Sequence, residues 1–209
     1  MIIHARMRVA AIVLAAGEGR RMSGPKALAR LHGSTFLAAV VKRFDRSDVW
    51  ARIVVLGASA DRVASAAELP EAVRIVVNAR YADGMLTSVW AGLDEAERLQ
   101  ADAVLIHPVD NPLVEPETIG AVLASLAAGA RIAVPSHAGR RGHPAGFARA
   151  AWPALRAAAL DGGARGVLAE HPDWVSHVPA GPDCLVDLDT KEALEAARRA
   201  LSEPGSREG

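Results

Sequence analysis

The stretch IVLAAGEGRRMSGPK, Ile12 to Lys26, decides the fold. An apolar run from Val9 to Ala16 passes without a break into glycines at 17, 19 and 24, arginines at 20 and 21, and a lysine at 26. Such a run, closed by glycine, reads as a buried strand ending in a turn. In open parallel sheets ligands bind at loops leaving the carboxyl ends of strands, and glycine there lets backbone amides approach phosphate oxygens. Arg21 can fork two hydrogen bonds onto phosphate and Lys26 acts as a compact point charge, so together they suit a triphosphate. A P-loop reading fails, because Lys26 follows Pro25 and precedes Ala27 where Ser or Thr would hold magnesium. A dinucleotide fingerprint lacks its third glycine, at Met22, and its acidic residue after the second strand, where IVVLGAS offers none. A solvated glycine turn is the plain alternative, opposed by the gathering of glycines with three cations.

Outward from this loop, short β-branched runs alternate with helical patterns. RVAAIVLAA (8–16), RIVVLG (52–57), VRIVV (73–77), AVLIHPVD (103–110) and RIAVP (131–135) read as strands separated by stretches of helical period. The alternation predicts βαβ units in a mostly parallel sheet covered on both faces. EPETIGAVLASLAAG (115–129) is the clearest helix, with acidic residues in its first turn and Gly129 as terminator. PSHAGRRGHPAGFA (135–148) reads as two extended pieces joined by a glycine turn, which makes the sheet mixed. LVDLDTKEALEAARRALSEPG (185–205) predicts a short apolar run, Thr190 as N-cap, and a helix from about Lys191 to Leu201.

The chain has 209 residues and 51% hydrophobic residues, enough for one full-sized core, and residues 1–209 are expected to form one domain with loose ends at 1–6 and 203–209. Its formal net charge of zero favours neither nucleic acid nor a membrane surface as partner. The single cysteine, Cys184, excludes an intramolecular disulfide and is expected to be a small buried residue in a reducing compartment. The basic start before VAAIVLAAG is read as strand, not secretory leader, and no run reaches the ~18 apolar residues of a membrane span. The expected location is cytoplasmic.

The motif LAAGEGRRMSGPKAL (14–28) resembles the signature of nucleotidyltransferases with the nucleotide-diphospho-sugar transferase fold. Within them the chain most resembles the MobA-like NTP transferases, above all the molybdopterin cytidylyltransferase branch, over nearly its whole length. The resemblance implies a three-layer α/β/α, Rossmann-like fold. It also implies a nucleotide site at Leu14, Ala15, Ala16, Gly17 and Gly19, with Lys26 on the transferring phosphate and Arg21 on the outer phosphates.

Three further stretches carry it. NARYADGMLTSVWAGL (78–93) resembles the segment beside the base, implicating Asn78, Gly84 and Ser88, although Ser88 is equally a plain helix-cap residue. LIHPVDNPLVEPETI (105–119) places Asp110 at a strand end, where a carboxylate opposite the glycine loop suits magnesium or manganese. The family's Asp-x-Pro aspartate is such a ligand; its middle residue is often glutamine and here is Asn111. His107 is expected to bond locally. GRRGHPAGF (139–147) and LDGGARGVL (160–168) resemble the acceptor side, implicating Arg141, His143 and Arg165, while a hairpin tip facing water is an equal reading of the first. VDLDT offers Asp187 and Asp189, on one side of an extended segment, as the second metal ligand.

The activity implied is transfer of a nucleoside monophosphate, CMP from CTP, to molybdopterin or its molybdenum-loaded form, with pyrophosphate leaving. The product would pass to a molybdoenzyme or its chaperone. Such chemistry needs positioning and charge stabilisation and no nucleophilic side chain, which matches the lack of a Ser/His/Asp or Cys/His constellation. Transfer to a sugar phosphate or another phosphorylated alcohol is the enzymatic alternative. A non-catalytic nucleotide-binding regulatory or chaperone-like module is the alternative from another class.

Overall fold

Every residue of the first strand, Val9 to Ala15, is buried, and alternate side chains serve opposite faces. Ala11, Val13 and Ala15 join one apolar cluster, while Ala10, Ile12 and Leu14 join another. A strand covered on both sides must be apolar throughout, which is why this stretch reads as one continuous run.

A computed structural model describes residues 6–19, 22, 24–31 and 33–202. Arg20, Arg21 and most of the expected loose ends (1–5 and 203–209) lie outside the described residues. In chain order the elements are β1 (Val9–Ala15), β2 (Arg30–Leu31), β3 (Ser34–Thr35), α1 (Phe36–Arg43), β4 (Ala51–Leu56), α2 (Ala60–Ala66), β5 (Arg74–Val77) and α3 (Met85–Arg98). There follow β6 (Ala103–Pro108), α4 (Pro116–Ala127), β7 (Ile132–His137), β8 (Arg140–Arg141), β9 (Ala145–Ala148), α5 (Trp152–Ala157), α6 (Gly163–Glu170), β10 (Val175–Pro179) and α7 (Lys191–Ser202).

The main sheet runs β10-β7-β9-β6-β1-β4-β5, with β8 paired to β7. Pairings of β1 with β4 and β6, β4 with β5, and β7 with β10 are parallel; β9 lies antiparallel between β6 and β7. Helices α1, α4 and α7 contribute to the first apolar cluster and α3, α5 and α6 to the second. The fold is therefore the expected three-layer α/β/α arrangement on a mixed, mostly parallel sheet.

Local chemistry accounts for the main helix ends. Gly129 takes φ +100° after α4, with Gly129 N–H on Leu126 O and Ala130 N–H on Ser125 O, a Schellman closure. Thr190 caps α7 by accepting Ala193 N–H at 3.1 Å. The glycine turn foreseen in 135–148 is Ala138-Gly139, both at positive φ, joining β7 to β8. Three strands have no counterpart in the sequence reading: the two-residue β2 and β3, which pair with each other, and β10. The β10 residues VSHVP carry a histidine and a proline, and are paired on one side only, so their pattern is that of a weak edge strand.

Close packing of α3 on β1 rests on Gly92, where an added Cβ would lie 2.5 Å from Ile12 Cγ2, whereas one at Gly166 in α6 would meet open space. Glycine-to-alanine changes within helices ordinarily stabilise by about 1 kcal/mol. Gly166→Ala should follow that rule. Gly92→Ala should instead cost about 1–3 kcal/mol through overpacking. Urea unfolding midpoints moving in opposite directions would show it, and a stabilised Gly92→Ala would refute the contact.

Candidate functional site

Parallel pairing brings the carboxyl ends of β1 and β6 to one edge, with Leu14 opposite Pro108. Val109 N–H then donates to Leu14 O at 3.1 Å, so the two segments leave the sheet side by side. The loop after β1 turns back through Gly19, at φ +65°, whose carbonyl accepts Met22 N–H at 2.9 Å. A Cβ at Gly19 would collide with the Gly24 carbonyl, so only glycine closes this loop. Its return places Lys26 against the end of β6, where Nζ donates to Asp110 Oδ2 at 2.7 Å. Both side chains are 23% exposed, partly withdrawn from water yet open to the cleft. Around them lies a cavity of about 230 Å³, also lined by Leu14, Ala15, Ala16, Gly17, Gly19 and Ser88. All six are residues that the resemblance implies for the nucleotide, as it implies Lys26 for the transferring phosphate and Asp110 for catalysis as the metal ligand.

Asn78 and Gly84 are not among the residues lining that cavity. Asn78 is buried; its amide donates to Thr87 Oγ1 at 2.8 Å and to Ser88 Oγ at 3.0 Å, and its carbonyl accepts Arg80 N–H. It holds the first turn of α3, and thus Ser88, to the end of β5. Gly84 takes φ +124° immediately before α3 and supplies the bend into that helix.

A second cavity of about 420 Å³ opens beside the first, and Leu14, Met85, Pro108 and Asp110 line both. Its walls are apolar at Leu86, Val89, Ile106 and Phe147 and polar at His143, Arg165 and Asp187. Arg141 is not among them; it lies exposed on β8 at the hairpin, the water-facing alternative for that residue. His143 is mostly buried, and burial lowers its pKa to about 4, an effect that Asp110 opposes and Arg165 reinforces. It therefore faces the cavity as a neutral imidazole.

Asp187 lies on an irregular segment between a short turn at Pro182–Leu185 and α7, not on a strand as sequence alternation suggested. Nothing in a sheet ladder holds it, but Leu188 N–H donates to Asp110 O at 2.7 Å. Its carboxyl is shifted upward by desolvation, then by the carboxylates of Asp110 and Asp189, against the pull of Lys26 and Arg165. Like charges held together in this way are relieved by a divalent cation. Among the described residues no three His, Cys, Asp or Glu side chains group as a complete metal cage. Two carboxylates with room for phosphate oxygens and water fit a magnesium or manganese ion, which keeps several such ligands. Asp187, and not Asp189, lines the cavity shared with Asp110.

Residues 11–175 match the MobA-like NTP transferase domain. The chain belongs to that family. Nicotine blue oxidoreductase of Paenarthrobacter nicotinovorans is 32% identical over 196 residues, covering 89% of this chain and 94% of that protein. The 2-C-methyl-D-erythritol 4-phosphate cytidylyltransferase of Thermobifida fusca is 36% identical over 148 residues, 64% of this chain and 56% of that enzyme. The crystal structure of Rv0371c from Mycobacterium tuberculosis H37Rv superposes with a TM-score of 0.81 and 25% identity, covering 93% of this chain and 100% of that one.

In this MobA-like chain two functional groups have no signal in the sequence. Asp183 accepts Glu115 N–H and Thr118 Oγ1–H, both at 2.9 Å, and so caps α4 from 65 and more residues away. Cys184, buried as expected, offers its backbone carbonyl to Asn111 Nδ2 at 3.2 Å and His143 N–H at 2.9 Å. Asn111, where the family motif often has glutamine, is fully buried and bonds within the protein.

His107, behind Asp110, is fully buried, and its Nε2 meets the Asn111 carbonyl at 2.8 Å. A carbonyl only accepts, so Nε2 carries a proton. Burial, with His143 adding to it, takes the His107 pKa to about 3. Because this folded value is below the unfolded 6.5, the unfolded chain binds more protons on acidification. The stability from neutral His107 is whole above pH 6.5 and drains as pH falls toward 3, by up to about 1.4 kcal/mol per pH unit. Urea midpoints should decline below pH 6.5, and His107→Phe should flatten that decline. An unchanged slope would contradict the assignment.

Proposed function

We propose that the protein transfers a nucleoside monophosphate from a nucleoside triphosphate to a phosphorylated acceptor, CMP from CTP to molybdopterin or its molybdenum form being the specific reaction. The observation that carries this reading is the 2.7 Å contact of Lys26 with Asp110 at the floor of the glycine-lined cavity. One group offers charge to phosphate and the other a ligand to the counter-ion that phosphate brings. In the reaction an acceptor phosphate oxygen forms a bond to the α-phosphorus. The bond from that phosphorus to the bridging oxygen of the β-phosphate breaks, and pyrophosphate leaves with the electron pair.

The chain's part is to grip and align. Backbone at Gly17 and Gly19 leaves room for the triphosphate, Lys26 turns from Asp110 to the transferring phosphoryl group, and Arg21 meets the outer phosphates. Asp110 and Asp187 would hold magnesium or manganese, whose charge stabilises the oxygens that gain negative charge. The apolar wall formed by Leu86, Val89, Ile106 and Phe147 fits a flat heterocycle such as a pterin, with Arg165 near enough to the carboxylates to meet its phosphate. The product would then pass to a molybdoenzyme or its chaperone.

A second reading draws on the same apolar wall together with the near full-length similarity to nicotine blue oxidoreductase. In it, the glycine loop would seat a nucleotide-borne hydride donor and the wall a conjugated acceptor. Pyrophosphate release with CTP and acceptor, set against oxidation of a reduced nicotinamide cofactor with a conjugated dye, separates the two. Binding of CTP with neither turnover would favour a regulatory module.

Lys26→Ala and Asp110→Asn should each lower pyrophosphate release by about 100-fold or more, with circular dichroism unchanged. Release at the wild-type rate from Lys26→Ala would overturn its role. Among CTP, GTP, ATP and UTP with magnesium, CTP should raise the melting temperature most, because a ligand bound only to the native state stabilises it.

A further inference from the structure

We infer that Asn111 is a positioning residue that sets Asp187 beside Asp110 and so determines affinity for the divalent ion; this rests on the metal reading above. Residues 186–189 belong to no helix or strand, so the place of Asp187 depends on tethers to the turn after β6. Three exist. Leu188 N–H bonds the Asp110 carbonyl, Asp183 bonds the start of α4, and Asn111 Nδ2 bonds the Cys184 carbonyl. The first is backbone alone, and the second also caps a helix. Asn111 ties the segment by a side chain whose neighbour in sequence is the metal-binding aspartate itself.

The same Cys184 carbonyl accepts His143 N–H, so one oxygen gathers three segments that carry Asp110, His143 and Asp187. The approach is tight. A Cβ at Gly142 would collide with that carbonyl, so the histidine segment reaches it only because residue 142 has no side chain. Asn111 is itself held from behind, its carbonyl accepting from His107 Nε2. Its Oδ1 is buried without a protein partner, so the amide is not kept for optimal polar pairing.

This last point separates positioning from bulk stability. Asn111→Leu keeps the volume, removes the tether and also removes a buried oxygen that lacks a partner, while Cys184 O retains its bond from His143. The unfolding midpoint should therefore change little. Outer-shell groups that orient metal ligands typically govern affinity by 10–100-fold, so Mn²⁺ affinity should fall about 10-fold.

The test titrates Mn²⁺ alone into the full chain and follows loss of the free-ion electron paramagnetic resonance signal. Wild type, Asp110→Asn, Asn111→Leu and Val122→Ala would be compared, the last a buried α4 substitution that touches no tether. Expected are abolished binding in Asp110→Asn, about 10-fold weaker binding in Asn111→Leu, and wild-type affinity with a lowered melting temperature in Val122→Ala. Wild-type affinity in Asn111→Leu, or an equal loss in Val122→Ala, overturns the positioning role and leaves the metal reading standing. Full affinity in Asp110→Asn, or no uptake by the wild type, overturns the metal reading as well.

Discussion

Parallel pairing of β1 with β6 is the constraint from which the site follows. The register that sets Leu14 against Pro108 makes two segments, almost a hundred residues apart, leave the sheet at one edge. A shift of one residue would turn every side chain of β1 to the opposite face and exchange the memberships of the two apolar clusters. Burial on both faces therefore enforces the register. Once it is enforced, the glycine loop and Asp110 have no other place to go.

The contact of Lys26 with Asp110 has a double character. Partly buried charges left single are costly, so in the free protein each side chain satisfies the other. The same contact leaves both close to where a triphosphate and its cation would lie. Replacing one ion pair by two, lysine with phosphate and aspartate with metal, changes partners without stranding either charge. Such an exchange would suit the proposed transfer, because each charge would keep a partner throughout.

The second cavity is built differently. It draws on α3, β6, β9, α6 and the irregular segment before α7, and mixes apolar walls with a neutral His143, Arg165 and Asp187. Relatives of this family carry names as different as a cytidylyltransferase and an oxidoreductase. A common fold accommodates that range, because function resides in the site and not in the scaffold. No helix among the described residues is long and apolar enough to cross a membrane.

Sequence by itself determined the alternation of strands and helices, the glycine loop, Lys26 and Asp110, because each is written in neighbouring residues: apolar period, turn glycine, charge at a strand end. Tertiary structure alone decided the rest. Asp183 caps a helix 65 and more residues away, Asn78 supports Ser88 instead of lining the cavity, Arg141 faces water while Arg165 lines the cleft, and Asp187 is separated from Asp189 by which of them reaches Asp110's cavity. Local pattern records which face of an element is apolar. It carries no record of which distant carbonyl or carboxylate will close a hydrogen bond, since those partners meet only when the sheet register has been set.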